Sequence, residues 1–250
     1  MTDSMSRHEY EQMRATENRL WWFRALHAYL LRFLSHDVSS GQTALDVGCG
    51  TGGFMQQLAG RGYATTGLDV SLLAATLSRE RGLSQVIVGS ANELPLASES
   101  FDLVVSVDVL EVGPVAPQKL AAEAWRVLKP GGRGLFVMAA HQWLLSEHDR
   151  AVGSVRRYNL QQMQVLFTVQ GFKVVRATYL FAALFPPMAV WKLLNPPRKD
   201  EPLGEAVSDV RLPHPLVNGL LSAISALEIP LHPGLRLPFG TSALVLVEKK

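Results

Sequence analysis

The sequence lacks several features that define large classes of proteins. It has one cysteine, Cys49, in 250 residues, which excludes an intrachain disulfide and a cysteine-rich zinc site and fits a reducing compartment. Its 24 basic and 22 acidic residues give a net charge of +2 with no long basic run, so the electrostatic footprint of non-specific nucleic-acid binding is missing. We therefore expect no metal ion and no nucleic-acid partner.

Long apolar runs and a secretory signal are also missing. The apolar stretch 179–194 is interrupted by Pro186 and Pro187 and falls short of the roughly 20 residues that span a bilayer. The first residues are polar, whereas a secretory signal has a basic start and an apolar core. We expect a cytoplasmic protein, with peripheral contact at the inner face of the membrane as the one membrane association left open.

The sequence does contain a regular alternation of β-rich and helix-length segments from Thr43 onward, as expected for βα units around a mainly parallel sheet. Hydrophobic residues make up 48% of the chain, which is ample for a packed core. The pattern predicts an α/β, doubly wound, Rossmann-like fold with seven strands. The strands are expected at 43–48, 64–69, 85–88, 102–107, 132–139, 172–179 and 242–248.

All 250 residues are predicted to form one domain, in which apolar additions surround the core. Trp21, Trp22 and Phe23 lie with several leucines on one side of a helix, which predicts an N-terminal helical cap. The proline-rich stretch 195–202 cannot continue a helix and predicts a mobile loop. The predicted parts are the cap at 1–42, the cofactor-binding core at 43–180, an apolar insertion at 181–240 with helices near 180–194 and 215–229, and the last strand at 241–250.

The insertion has more apolar side chains than a solvent-facing loop should carry, so something must cover them. One interpretation is a lid that packs on the segment from Trp21 to Phe23. The other is a hydrophobic binding pocket or a peripheral membrane contact. The residue pattern leaves both open.

A glycine-rich turn follows the first strand. Gly48, Gly50 and Gly52 have no Cβ, so the backbone can turn tightly and approach a nucleoside ligand beyond the carboxyl end of the strand. The loop alone fits two kinds of cofactor, because Gly48, Gly50 and Gly53 also match the dinucleotide pattern G-x-G-x-x-G. Asp46, two residues before the first glycine, and the downstream segments separate the two interpretations.

The second predicted strand ends in Asp69. Its carboxylate can accept hydrogen bonds from both hydroxyls of a ribose. Alternatively, it caps the helix that follows, since Asp69 and Ser71 both precede an apolar helical segment.

Five ordered segments extend this pattern along the chain. Together they resemble the class I S-adenosylmethionine-dependent methyltransferases, strongly over about residues 43–180 and weakly elsewhere. The segments are Leu-Asp-Val-Gly-Cys-Gly-Thr-Gly (45–52), Gly-Leu-Asp-Val-Ser (67–71), Gly-Ser-Ala-Asn-Glu-Leu-Pro-Leu (89–96), Ser-Phe-Asp-Leu-Val-Val-Ser-Val-Asp-Val-Leu-Glu (100–111) and Arg-Val-Leu-Lys-Pro-Gly-Gly (126–132).

The resemblance implies a methyltransferase that uses S-adenosylmethionine, built on a sheet whose last strand is antiparallel. It implies that the glycine loop lines the methionine end of the cofactor, that Asp69 holds the ribose and that the backbone of Ala91 meets the adenine. Arg24 would reach from the cap over the cofactor carboxylate, or else lie at the surface. The expected cofactor-binding residues are Asp46, Gly48, Cys49, Gly50, Asp69, Val70, Ser90, Ala91, Asn92, Val107 and Arg24.

Two positions depart from the family pattern. Ser90 stands where relatives usually have an acidic residue that accepts from the adenine amino group, which predicts weakened cofactor binding. The Asn92 side chain could accept from the adenine amino group instead, or it could form hydrogen bonds with the backbone of its own loop. Val112 stands where relatives often have a histidine, and the preceding Glu111 either points to the cofactor amine or caps the next loop.

The segment after the fifth strand is the predicted acceptor site, because acceptor groups should lie beyond the carboxyl ends of the fourth and fifth strands. His148 or His141 could act as a general base, or either could be a structural histidine. A bacterial subgroup of the family, associated with glycan and lipid-linked sugar pathways, has a similar segment, often with a histidine at the position of Ser154. The expected substrate residues are Trp143, Arg156, Arg157 and Tyr158.

The two adjacent arginines of this segment allow two interpretations. Arg156 and Arg157 could hold a phosphate or carboxylate of the acceptor. Alternatively, they form ion pairs with Glu147 and Asp149.

The resemblance therefore implies transfer of a methyl group to a small or lipid-linked acceptor, with oxygen favoured over nitrogen or carbon. An NAD-dependent oxidoreductase or epimerase is the first alternative, although no Tyr-x-x-x-Lys pair follows the fourth or fifth strand. A non-catalytic protein that binds S-adenosylmethionine as a scaffold is the second.

Overall fold

A computed structural model describes residues 5–34, 38–195 and 210–250. Within these ranges seven strands form one sheet in the order β3-β2-β1-β4-β5-β7-β6. The strands are β1 (Thr43–Val47), β2 (Ala64–Asp69), β3 (Val86–Val88), β4 (Phe101–Val107), β5 (Leu128–Ala139), β6 (Phe172–Leu180) and β7 (Ser242–Lys249).

The last strand, β7, is antiparallel to both of its neighbours, β5 and β6, whereas the other pairings are parallel. This confirms the predicted seven-stranded α/β fold with a reversed last strand. The largest difference from the predicted bounds is in β5, which begins at Leu128 rather than at residue 132. Leu128 pairs with Phe101 across an irregularity in the β4–β5 register, which the hydrophobic pattern does not show.

Helices lie along the chain between these strands and before them. The predicted N-terminal cap consists of two helices, and the insertion contains two more. The described helices are α1 (Arg7–Thr16), α2 (Trp21–Phe33), α3 (Gly53–Gly60), α4 (Leu72–Arg79), α5 (Pro117–Val127), α6 (Glu147–Ala151), α7 (Leu160–Val169), α8 (Phe185–Leu194) and α9 (Pro215–Glu228).

The core lies on both faces of the sheet, because neighbouring residues of a buried parallel strand point to opposite sides. In β4, Val104 belongs to one buried cluster and Leu103 to the other. The first cluster includes the stacked rings of Phe136 and Phe167, whose centroids are 4.1 Å apart. The second is closed by α2, which contributes the fully buried Tyr29.

The sheet reverses its order between β1 and β4, and this reversal opens a crevice at their carboxyl ends. The chain runs outward from β1 to β3 and then returns to the other side of β1 as β4. The residues that follow β1, β2 and β4 therefore meet at one edge of the sheet. This edge positions the candidate site.

The insertion packs on the N-terminal helices. The amide of Trp21 donates to Oδ1 of Asn218 at 2.9 Å, and Nδ2 of Asn218 donates to the carbonyl of Arg19 at 3.0 Å. The Trp21 ring also meets the ring of Phe181 edge-on at 5.9 Å. These contacts support the lid interpretation for the inner side of the insertion.

The outer side of the insertion stays exposed. Its apolar side chains do not find cover among the described residues, and no described helix is long and apolar enough to cross a membrane. Most of the proline-rich stretch predicted to be a mobile loop, 196–202, lies outside the described residues. The exposed side chains are Met188, Val190, Trp191, Leu193, Leu194, Leu216, Val217, Leu220 and Leu227.

Candidate functional site

A cavity of about 1240 Å³ lies at the carboxyl ends of the central strands. The glycine-rich loop and the ends of β2 and β4 form its floor, while α1 and α2 cover one part of it. The segment around α6 and the insertion line the other part. A single space therefore joins the predicted cofactor site to part of the predicted acceptor segment.

The glycine loop approaches the end of β4 too closely for a side chain. Gly48 has φ +77°, and an added Cβ there would overlap Cγ2 of Val109. The amides of Gly48 and Cys49 both donate to the carbonyl of Leu68, at 2.7 and 3.0 Å, which ties the loop to β2. Glycine is needed here because φ is positive and because the side chain of Val109 packs against the loop.

Asp69 lies buried at the end of β2 and lines the cavity. Its carboxylate accepts from the amide of Gly50 at 2.9 Å, from the amide of Ser71 at 3.0 Å and from the hydroxyl of Tyr10 at 3.4 Å. The N-cap of α4 is Ser71, whose Oγ accepts from the amide of Ala74. Asp69 is therefore not the cap of that helix, and its position on the cavity favours the ribose interpretation.

Asp46 and Cys49 lie deeper on the same side of the cavity, and both are buried. Burial first, and then the neighbouring carboxylates of Asp69 and Glu17, raise the pKa of Asp46 to about 7. Burial and the charge of Asp46 likewise raise the pKa of the Cys49 thiol. This end of the cavity therefore brings several acidic groups close together.

The predicted adenine-side residues also line the cavity: Val70, Ser90, Ala91, Asn92 and Val107. Oγ of Ser90 accepts from the amide of Asn92 at 3.1 Å. The Asn92 side chain donates to the carbonyl of Pro114 at 2.9 Å and accepts from the amide of Ala116 at 2.7 Å. The Asn92 side chain is thus hydrogen-bonded to the backbone of the neighbouring loop. These contacts leave it poorly placed to accept from the adenine amino group in place of an acidic residue at position 90.

The contribution of α1 to the cavity has no signal in the sequence. Tyr10 and Met13 line the cavity from this helix, and Glu17 lines it from the C-cap. Glu17 pairs with Arg81 at 3.0 Å and accepts from the hydroxyl of Thr51, and both partners of the ion pair are nearly inaccessible. No motif marks α1, although its buried acidic residue would be unexpected in a purely solvated helix.

Glu17 also explains Gly53, the third glycine of the apparent dinucleotide pattern. An added Cβ at Gly53 would overlap the Glu17 carboxylate, which lies at the start of α3. In a dinucleotide site this helix start would face a pyrophosphate. Here it faces a carboxylate of the protein itself, which argues against the dinucleotide interpretation.

Arg24 does not line the cavity, which favours the alternative that it lies at the surface. Helix α2 turns Leu26 toward the core and leaves Arg24 exposed. His27, one turn further, does line the cavity. Burial and the charge of Arg81 lower the pKa of His27 to about 4, so this ring is neutral near neutral pH.

The two adjacent arginines of the acceptor segment are engaged by the protein. Nε and Nη2 of Arg157 donate to the carboxylate of Asp149 at 2.7–3.2 Å, and its Nη1 donates to the carbonyl of Ala140. Arg156 donates to the carbonyls of Gly113 and Val115 and does not line the cavity. The ion-pair interpretation therefore fits Arg157, and the contacts give no support to an anion-binding role for either arginine.

The remaining predicted acceptor residues divide between two environments. His148 lines the cavity, whereas His141, Trp143 and Tyr158 do not. The His141 ring stacks on Tyr179 with centroids 5.0 Å apart, and burial lowers its pKa. Trp143 is half-exposed beside α8. Aromatic packing against β6 and α8 draws these side chains away from the cavity.

Glu111 lines the cavity beyond the end of β4. It is 2% exposed, and its Oε2 has no hydrogen-bond partner within the described parts of the chain. Asp108, which directly follows β4, has φ +53° and raises the pKa of Glu111 through its charge. The sequence marks Glu111 but gives no sign of this interaction, because nothing in the spacing of the two residues shows that their carboxyls are neighbours.

Comparison with known proteins agrees with this geometry. Residues 45–136 match the family described as the methyltransferase domain. The biotin biosynthesis bifunctional protein BioHC of Cellvibrio japonicus is 35% identical over 137 residues, which cover 54% of this chain and 27% of that protein. The fatty-acid O-methyltransferase of Mycolicibacterium smegmatis is 33% identical over 135 residues, covering 52% and 48%. The chain thus spans between a quarter and a half of the length of these relatives.

Solved structures show the same fold over nearly the whole chain. Phosphoethanolamine N-methyltransferase 2 of Haemonchus contortus, in complex with S-adenosyl-L-methionine, has a TM-score of 0.59 at 24% identity, covering 91% of this chain and 52% of that one. A possible histamine N-methyltransferase of Thermotoga maritima has a TM-score of 0.59 at 20% identity, covering 97% and 96%.

Proposed function

We propose that this chain, which carries a class I S-adenosylmethionine-dependent methyltransferase domain, transfers a methyl group to a small or lipid-linked acceptor, with oxygen favoured as the accepting atom. The observation that carries the proposal is the continuous cavity, which joins the glycine loop and Asp69 to Glu111 and His148. A cofactor and an acceptor can therefore meet inside one enclosed space.

The residues on the cofactor side suit the parts of S-adenosylmethionine. The glycine loop offers close backbone approach to the methionine end, and the Asp69 carboxylate suits the ribose hydroxyls. The Ala91 backbone would meet the adenine edge, with Val70 and Val107 covering its faces. The acidic surroundings of Asp46 suit a ligand that carries an ammonium and a sulfonium.

When bound, the cofactor would supply a methyl group that is attached to a positively charged sulfur. The acceptor atom would attack the methyl carbon in line with the carbon–sulfur bond, and the sulfur would leave. The protein then has to position the acceptor, exclude water and accept a proton where the acceptor loses one. Helices α1 and α2 and the insertion line the cavity and would shield a bound acceptor from water. His148 and Glu111 are among the cavity-lining groups that could accept a proton, together with Asp108, Glu147 and Asp149.

The apolar part of the acceptor would lie against the insertion. Met188, Trp191 and Leu221 line the cavity from α8 and α9. The relative that is named a fatty-acid O-methyltransferase supports both an apolar acceptor and oxygen as the accepting atom. Arg157 would act indirectly, because its ion pair with Asp149 fixes the start of α6 beside the cavity.

Peripheral contact with the cytoplasmic face of a membrane is part of the proposal, because a lipid-linked acceptor would be drawn from there. The exposed apolar side chains of α8 and α9 support it. Co-sedimentation with liposomes tests the contact, using Trp191→Ser with Leu194→Ser against Leu72→Ser, an exposed leucine on α4. Equal sedimentation of both variants and the unaltered protein would exclude the contact.

The activity is tested by measuring S-adenosylhomocysteine release with four acceptors of similar length: dodecanol, para-octylphenol, dodecylamine and dodecanoic acid. We expect turnover with an oxygen acceptor above the rate without acceptor. Turnover with dodecylamine alone would exclude the preference for oxygen. Cofactor binding without turnover on any of the four would favour the scaffold alternative.

A further inference from the structure

The acceptor part of the cavity has its own group of carboxyls. Burial raises the pKa of Glu111 first, and Asp108 and Asp149 raise it further. The pKa of Asp46 is instead raised by burial, Asp69 and Glu17. The two sets of interacting carboxyls do not share a member, although both line the same cavity.

Glu111 and Asp108 interact directly. The charge of Asp108 raises the pKa of Glu111, so a proton on one of the two neighbouring carboxyls is favoured. The pair is buried, and the other oxygen of Glu111, Oε2, has no hydrogen-bond partner among the described residues. Burying a carboxyl oxygen without a hydrogen-bond partner is unfavourable in free energy. We therefore expect a ligand to donate a hydrogen bond to this atom.

The nearby charges indicate what kind of donor fits. Asp149 and Arg157 face the pair from α6 and from the segment after it, and they neutralise each other through their ion pair. Lys192 lines the same cavity from α8, and it donates to the carbonyl of Leu145. Arg157 and Lys192 already have partners, so they do not offset the negative charge of the two carboxyls. The pair of Glu111 and Asp108 therefore disfavours binding of a carboxylate or phosphate and favours a neutral hydroxyl.

We infer that Glu111, supported by Asp108, binds the hydroxyl of a neutral alcohol or phenol acceptor and receives its proton during methyl transfer. The inference deepens the proposed function and rests on it. In the reaction, the acceptor oxygen forms a bond to the methyl carbon while the carbon–sulfur bond breaks, and that electron pair stays on sulfur. The hydroxyl proton passes to the Glu111 carboxylate, so the cofactor leaves as a neutral thioether and the acceptor as an ether.

The test compares the unaltered protein with Glu111→Gln and with Glu248→Gln as the matched control. Glu248 lies on β7, does not line the cavity and pairs with Lys173 near the surface. We expect Glu111→Gln to lower kcat for para-octylphenol by about 100-fold or more, with KM changed less than about threefold, because proton transfer contributes to the transition state. Glu248→Gln should leave kcat within about threefold.

The pH profile gives a second readout. Burial holds the pKa of both Asp108 and Glu111 above the ordinary carboxyl range, and the base must be unprotonated to act. The rate with para-octylphenol should therefore rise with pH through the titration of the pair in the unaltered protein. Glu111→Gln should lose this rise, and a profile unchanged by the substitution would overturn the inference.

Cofactor calorimetry separates this role from a contact with the cofactor amine. Glu111→Gln should bind S-adenosylmethionine within about twofold of the unaltered protein, which also shows that the variant is folded. A loss as large as that of Asp69→Ala would assign Glu111 to the cofactor and overturn the inference. Turnover with dodecanoic acid but not with the alcohol or phenol would also overturn it, while the proposed function would stand.

If none of the four acceptors is methylated, the proposed function fails. A binding titration then tests the inference on its own. Para-octylphenol is then titrated into protein saturated with S-adenosylhomocysteine. Binding that is about tenfold or more weaker in Glu111→Leu supports the hydroxyl site, because a hydrogen bond to a charged group is lost. Equal binding, or no binding to the unaltered protein, overturns it.

Discussion

The amide of Gly50 donates a 2.9 Å hydrogen bond to Oδ2 of Asp69, which joins the glycine-rich loop to the end of β2. The same carboxylate accepts from the amide of Ser71 through Oδ1, so backbone donors on two loops fix its orientation. A carboxylate held in this way is presented to the cavity without further reorganisation. This relationship connects two separate sequence motifs into one binding surface.

Gly48→Ala should destabilise the protein far more than Gly131→Ala. Both glycines have φ near +77°, so the added Cβ costs about 1–2 kcal/mol of backbone strain at either position. Only at Gly48 does the new atom also overlap a side chain, that of Val109, whereas at Gly131 it meets open space. Urea denaturation measures the difference. Equal losses of unfolding free energy would show that the loop can move away from Val109.

Ser90→Asp should tighten S-adenosylmethionine binding by about tenfold, because a charged acceptor replaces a neutral one at the adenine side. The Asp side chain can still accept from the amide of Asn92, as Ser90 does at 3.1 Å. Ser90→Ala, which removes the acceptor, serves as the control and should not tighten binding. Calorimetry on both variants checks this. Unchanged or weaker affinity in Ser90→Asp would contradict the proposed position of the adenine.

Asp149→Ala should lower the unfolding free energy by about 3–5 kcal/mol, because it leaves the buried guanidinium of Arg157 without its counter-charge. The side chains of Arg157 and Asp149 are only 10% and 5% exposed. Lys173→Ala, which breaks an exposed pair with Glu248, should cost about 1 kcal/mol or less. Chemical denaturation compares them, and similar losses would mean that the Arg157 ion pair contributes little.

Cys49 should resist alkylation in the folded protein. Its thiol is buried, and burial beside Asp46 raises its pKa, so the reactive thiolate is scarce. Iodoacetamide should label native protein at least about tenfold more slowly than protein unfolded in urea. The chain has one cysteine, so mass spectrometry gives an unambiguous count. Rapid labelling of native protein would show that this side of the cavity opens readily.

Much of the fold could be predicted from the sequence, because buried strands and the glycine-rich turn leave strong local patterns. Gly48 and Asp69 each stand beside a strand end, and the fold rule for parallel sheets brings them together. The boundary of β5 could not be predicted in this way, since it depends on the irregular pairing of Leu128 with Phe101.

The acceptor part of the site was harder to predict, because it depends on side-chain contacts between segments distant along the chain. Positions 141 and 148 are both histidines, yet the His141 ring stacks on Tyr179 and does not line the cavity. Glu17 enters the site only because Gly53 leaves room for its carboxylate. Neither contact has a local signature in the sequence.

The central claim is a cofactor site for S-adenosylmethionine built around Asp69. The most direct test is calorimetry with S-adenosylmethionine, S-adenosylhomocysteine and NAD on the unaltered protein, on Asp69→Ala and on Ser71→Ala, which removes the neighbouring helix cap but leaves the carboxylate. We predict that both adenosyl ligands bind and NAD does not, and that Asp69→Ala weakens binding by about 10- to 100-fold, more than Ser71→Ala does. Binding of NAD alone, or full affinity in Asp69→Ala, would contradict the account.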